Sequence, residues 1–241
     1  SDDNDWTYNN RNQLLSYDTV SYTYDANGNT ITKTDAAGET QYAYDYENRL
    51  VRVGLPDGSH AQYKYDALGR RIEKDVAGTV TSYVYDGDSL LAEYDGSGTL
   101  AKAYFRAAAD TNPSFWREGS GVYFFHNDHL GTPQLVTTEA GALVWDAKYE
   151  AFGQVKLVTE VVQNNIRFPG QYFDEESGLH YNYFRDYNPT IGRYIQRDPI
   201  GLKGGINTYL YVNASPIVRF DPKGLAGVGP GACAYYDAQC K

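Results

Sequence analysis

Methionine is absent from all 241 residues, so Ser1 is no natural start and the chain is expected to be a piece or processed product of a longer one. Cysteine is nearly absent as well. Cys233 and Cys240 both fall within the last nine residues, so the body of the chain uses neither a disulfide nor a cysteine-ligated metal. For the tail, a Cys233–Cys240 disulfide and two free thiols stay equally open. No apolar run reaches the ~18 residues of a transmembrane helix. There is no signal-peptide pattern either, though a piece lacking its start could not show one. Lys and Arg number 21 against 31 Asp and Glu, for a net charge of −10. That balance argues against nucleic acid as a partner of this segment, because phosphate binding needs clustered cations. No GxSxG, Walker loop or helix-opening GxGxxG occurs, and no stretch carries sustained helical periodicity.

What is plentiful is tyrosine and glycine, 24 of each. Tyr-Asp pairs recur at Tyr24-Asp25, Tyr44-Asp45, Tyr65-Asp66 and Tyr85-Asp86, so the aspartates step by 20, 21 and 20 residues. A degenerate earlier unit shows at Tyr8-Asn9 and a late one at Tyr94-Asp95. A fixed period of this size marks a repeat architecture. Within each unit Tyr alternates with polar residues, as at Tyr22/Tyr24 and Tyr63/Tyr65, which is the period of a half-buried strand. A turn follows, such as Asp25–Gly28 or Asp66–Gly69: Asp bonds its own backbone and Gly supplies positive φ, expected at Gly28, Gly69 and Gly87, each closing a strand after an Asp. Each unit therefore reads strand, turn, strand, turn, and the fold class is all-β. A lone hairpin is marginal, whereas stacked hairpins bury one face jointly.

The period breaks over residues 107–120, read as a loop or insertion with a turn of helix at most. Residues 121–153 return to strands joined by Gly turns, and Val155–Val162 reads as another strand. His126, Asp128 and His129 crowd three metal-ligand types together. On a strand or tight turn they would not share a face, and no Glu sits at zincin spacing, so a structural turn is expected, with no metal and no cofactor. His60 and His180 read as structural or exposed.

Arg167–Leu225 is not repetitive. It carries Arg185-Asp186, Arg197-Asp198-Pro199-Ile200-Gly201-Leu202 and a second such pattern, Asp221-Pro222-Lys223-Gly224-Leu225, after which composition shifts to Gly, Ala and Cys. Two carboxyls brought together cannot both ionise comfortably, so one can act as acid while the other acts as base on water. Spacing alone cannot show convergence; taken by themselves, the residues equally suit Asp-Pro turns and structural Arg-Asp pairs.

These motifs resemble the Rhs-repeat-associated core domain, which ends the YD-repeat region of bacterial Rhs polymorphic toxins and of Tc toxin C components. The Tyr-Asp array and the HNDHLGTP segment at His126–Pro133 resemble the same family. The resemblance implies stacked hairpins forming part of a spiral β-sheet shell that ends in a core plug. It divides the chain into repeats (1–106), a connecting β region (107–166), the core (167–225) and the start of a variable toxin region (226–241). It implies encapsulation of that toxin and a once-acting intramolecular aspartic autoprotease cutting Leu225–Ala226. Asp186 with Arg185, and Asp198, are the first candidates, then Asp221. The partners implied are the chain's own C-terminal toxin segment and secretion or delivery components, with a secreted or cell-surface location. The alternative reading is a non-catalytic carbohydrate-binding or adhesive YD-repeat array, its tyrosines stacking on sugars. An adhesin, however, has no need of Arg-Asp pairs, DPKGL and a composition break.

Overall fold

The computed structural model describes residues 5–106 and 112–229. Cys233 and Cys240 lie outside the described residues. The chain folds as a 16-stranded antiparallel sheet in strict sequence order, from Thr7–Tyr8 to Val155–Glu160, followed by a second sheet of four short strands, Tyr172–Asp174, Leu179–Asn182, Arg185–Asn188 and Arg193–Tyr194. Among the described residues the only helical elements are two three-residue 3-10 turns, Gly201–Lys203 and Val212–Ala214.

The Tyr-Asp period has a physical cause at each of its two residues. The Asp turns the chain by capping its own backbone. Asp66 Oδ1 accepts from the N–H groups of Leu68 and Arg70, both at 2.9 Å, while the Gly69 N–H donates to the Asp66 carbonyl at 3.0 Å. Asp45, Asp95 and Asp128 do the same. Gly28, Gly69 and Gly87 all stand at positive φ, which the turn requires. The Tyr reaches back one unit: the hydroxyls of Tyr24, Tyr44, Tyr65 and Tyr85 donate to the carbonyls of Leu14, Thr30, Leu50 and Arg71 at 2.7–2.8 Å. The rings are half-buried and their polar ends satisfied. Arg49 and Arg70 reach forward instead. Each donates to a carbonyl in the next unit and lies over its tyrosine, 5.1 Å from the Tyr65 centroid and 5.4 Å from that of Tyr85.

Two residues before each of these tyrosines stands another, Tyr22, Tyr42, Tyr63 and Tyr83, on the same sheet face and buried. The segment after Val161 packs on that face. Ile166, Tyr172 and Tyr181 join Tyr83, Tyr104, Trp116 and Trp145, while Leu179 and Ile195 join Tyr42, Leu50 and Tyr63. This plug is also held by charge. Arg71, 1% exposed, forks onto Asp174 with contacts of 2.5 and 2.9 Å, and its guanidinium sits 4.3 Å from the Tyr181 centroid. Lys74 bridges Asp174 and Glu176, each at 3.1 Å.

The expected loop over 107–120 contains a strand, Phe115–Glu118, which continues the sheet between Leu100–Phe105 and Gly121–Asn127. Phe115 stacks on Phe105 at 4.6 Å and Trp116 is fully buried. Four residues are too few to display a period, so packing rather than pattern makes this strand. The HNDH segment runs from the end of a strand, His126 and Asn127, into a turn capped by Asp128, with His126 hydrogen-bonded to Thr137 and His129 to the Ile217 carbonyl.

Candidate active site

Arg185 and Asp186 open one strand of the plug, and successive strand side chains leave on opposite faces. They accordingly find different partners. The Asp186 N–H donates to Gln196 Oε1 at 2.8 Å, and Gln196 Nε2 donates to Asp186 Oδ2 at 2.5 Å, closing a buried ring. Burial pushes the Asp186 carboxyl up to about 7, although the Gln196 hydrogen bond and Arg71 pull it down.

Arg185 gathers the other two aspartates. Its Nη2 lies 3.1 Å from Asp198 Oδ2 and 3.4 Å from Asp221 Oδ2, with all three side chains almost wholly buried. Its Nε donates to the Gly224 carbonyl, and Nη1 donates to the Thr208 carbonyl at 3.1 Å. The guanidinium lies 3.6 Å from the Tyr194 centroid. Tyr194 donates its hydroxyl to Asp221 Oδ2 at 3.0 Å and is itself held by Asn182 Nδ2 at 2.7 Å. Neither Tyr194 nor Asn182 stood out in the sequence; their only signal was a place in the aromatic-rich segment flanking the Arg-Asp pairs.

Each aspartate also turns the chain. Asp198 Oδ1 accepts from the Ile200 N–H at 2.9 Å, and Asp221 Oδ1 accepts from the Leu225 N–H at 2.9 Å. The turn-forming reading of the two Asp-Pro steps is thus correct and leaves the second oxygen of each carboxylate for Arg185. Burial pushes the Asp198 carboxyl up to about 6; Arg185 and the Ile200 N–H draw it down, and Asp221 adds to the rise.

The DPKGL segment lies across this cluster. Gly204 marks the contact: a Cβ placed there would stand 2.3 Å from Asp198 Oδ2 and 2.9 Å from the Leu225 carbonyl oxygen. Asp198 and the Leu225 carbonyl oxygen thus both approach Gly204 closely, where any side chain would meet them. Asp198 also borders a cavity of about 280 Å³, lined by Asn27, Asn29, Glu47, Gln196 and Arg197 among others. A polar cavity of that size has room for water. Among the described residues no group of three or more His, Cys, Asp or Glu side chains is arranged to hold a metal ion.

The family model described as Teneurin YD-shell matches residues 1–209, which includes Arg185 and Asp198 but stops short of Asp221. Double-stranded DNA deaminase toxin A of Burkholderia cenocepacia is 35% identical over 251 residues, covering 90% of this chain and 18% of that protein. Probable deoxyribonuclease RhsB of Dickeya dadantii is 43% identical over 110 residues, covering 45% of this chain and 8% of that protein. The chain thus spans less than a fifth of the length of either relative. Among solved structures, the Photorhabdus luminescens Tc holotoxin pore with a point mutation in TccC3 superposes with a TM-score of 0.63 at 16% identity, covering 98% of this chain and 16% of that one. At that identity the likeness establishes the fold.

Proposed function

The chain belongs to the YD-shell family of Rhs-type repeat proteins, and from that premise we propose that it forms the last wall and the plug of a shell enclosing a toxin carried beyond Leu225, and cuts its own Leu225–Ala226 bond. The relatives' names support a shared shell with exchangeable cargo, one being a deaminase and another a probable deoxyribonuclease. Their character as toxins supports a delivered or extracellular role and delivery components as partners. No helix among the described residues is long and apolar enough to cross a membrane.

The observation that carries the cutting reading is the pairing of Asp198 and Asp221 on Arg185, with Asp198 and the Leu225 carbonyl both against Gly204. Asp198, raised to about 6, becomes neutral as pH falls through that value and then carries the proton for that oxygen. Asp221 accepts hydrogen bonds from Tyr194, Arg185 and Leu225. Water from the adjoining cavity adds to the Leu225 carbonyl carbon while Asp221 takes its proton and Asp198 protonates the carbonyl oxygen. The C–N bond then breaks as Asp221 gives its proton to the Ala226 nitrogen and Asp198 takes back a proton from the hydroxyl it had formed. One water is consumed, leaving a Leu225 carboxyl and an Ala226 amine. Asp186, bonded to Gln196, stands outside this pair as a structural acid.

Cell-free synthesis with timed quenching and intact-mass analysis tests the reading. The unaltered chain is expected to yield a product ending at Leu225, whereas Asp198→Asn and Asp221→Asn remain whole, because an amide cannot make the proton transfers. Equal cutting in all three, or a terminus elsewhere, refutes it.

A further inference from the structure

Beyond Leu225 the chain turns back and pairs with its own approach to the site. The Phe220 N–H donates to the Val228 carbonyl at 3.0 Å, and the Val228 N–H donates to the Phe220 carbonyl at 2.8 Å. This bridge closes a loop over residues 221–227, and the Leu225–Ala226 bond lies inside it. The loop is pinned upstream of that bond: the Phe184 N–H donates to the Lys223 carbonyl at 3.2 Å, Arg185 Nε to the Gly224 carbonyl, and the Leu225 N–H to Asp221. The bridge is the matching restraint downstream.

Gly227 sits within that downstream stretch. Its φ lies outside the left-handed region, so the backbone there suits any residue. What crowds a side chain is Val212: a Cβ at 227 would lie 3.0 Å from Val212 Cβ and Cγ1 and 3.1 Å from its Cα, so Val212 would have to give way. Val212 is buried and begins a run of three non-glycine residues at positive φ, Val212, Asn213 and Ala214, at 42°, 54° and 57°. A β-branched residue rarely adopts that conformation, and a surrounding structure must enforce it. The adjacent Tyr211 ties this turn to the site, since its hydroxyl accepts the Asp221 N–H at 3.4 Å.

We propose, building on the self-cleavage reading, that the Val212–Ala214 turn and the Phe220–Val228 bridge form the subsite for the leaving side of the cut. It admits glycine as the second residue beyond the scissile bond and holds the new amino terminus in place once the bond is broken. Gly227 and Val212 act as specificity and positioning residues; neither touches the reacting atoms.

The test compares timed cutting of the 241-residue chain with that of Gly227→Ala, Val212→Gly and the two combined. Asp198→Asn sets the uncut baseline. Gly227→Ala is expected to cut roughly tenfold more slowly, since displacements below 1 Å at a reacting bond are felt at that scale. Its melting midpoint should not move. Val212→Gly, which removes Cβ and Cγ1 and suits the left-handed backbone, should restore the rate when combined with it. A merely structural Gly227 would shift the melting midpoint as well as the rate. In the uncut Asp198→Asn chain, hydrogen exchange at the Val228 amide should be slow and should quicken when Gly227→Ala is added. Wild-type cutting with an unchanged Gly227→Ala rate overturns the subsite alone. An unaltered chain that stays as whole as Asp198→Asn overturns the self-cleavage reading and the subsite with it.

Discussion

Replacing Asp186 by Asn should make the protein more stable in alkali than it is now. The carboxyl is buried, and its value is lifted from 3.8 to about 7 because the anion loses its hydration. A group raised on folding adds stability below its unfolded value and loses it as pH climbs through its folded value. Asp186 therefore helps hold the fold below about pH 4 and ceases to do so between there and about pH 7. Roughly three units at ~1.4 kcal/mol each give about 4 kcal/mol as the most the anion can cost at alkaline pH, before relaxation and water entry reduce it. An asparagine side chain keeps an oxygen to accept from Gln196 and never ionises. The assay is guanidinium unfolding followed by tryptophan fluorescence, for which the buried Trp116 and Trp145 are natural reporters. The two proteins should differ little near pH 4. By about pH 8.5 the Asp186→Asn variant should be ahead by one to several kcal/mol, roughly. A gap that does not change with pH refutes the reasoning, as does a variant that loses ground in alkali. The same variant should still cut after Leu225.

Two further expectations follow from the same geometry. If Asp198 must be neutral to protonate the Leu225 oxygen, cutting should fall about tenfold per pH unit above about 6, measured by intact mass after synthesis in buffers of stepped pH, and a flat profile would exclude it as the acid. Arg71→Met should destabilise by about 3–5 kcal/mol, because it strands Asp174 as a buried anion with only Lys74 beside it; a shift in the unfolding midpoint worth less than about 1 kcal/mol would mean the pair does not hold the plug.

The hairpin array was legible because its causes are local. Asp66 caps residues two and four positions on, and Tyr65 needs only the preceding unit, so a period of about 20 residues records both. The site was legible as a residue list but not as a pairing. Side-chain alternation along Arg185–Asn188 separates Arg185 from Asp186, and that consequence of strand geometry could have been drawn from sequence. What could not is the return of Asp221 to Arg185 across 36 positions, or of Asp174 to Arg71 across 103. Such contacts depend on how the plug lies on the sheet, which no local period encodes. Tyr194 and Asn182 stayed hidden for the same reason, since their role appears only once Asp221 is beside them.

The plug's attachments make it a gauge for the wall. Tyr209 binds Gly28, Ile195 binds Thr30, Asp174 binds Arg71, Tyr172 binds Glu93 and Tyr187 binds Phe152, each at its own place along the sheet. Hairpins that look interchangeable to their neighbours are therefore individually addressed from inside. Adding or deleting one between Gly28 and Phe152 would leave every tyrosine ladder intact and yet throw the plug out of step on one side. The plug reaches the first hairpin too, where Arg193 donates to the Asn12 carbonyl and Gln13 to the Tyr209 hydroxyl, so a unit is freely exchangeable only where no plug residue touches it.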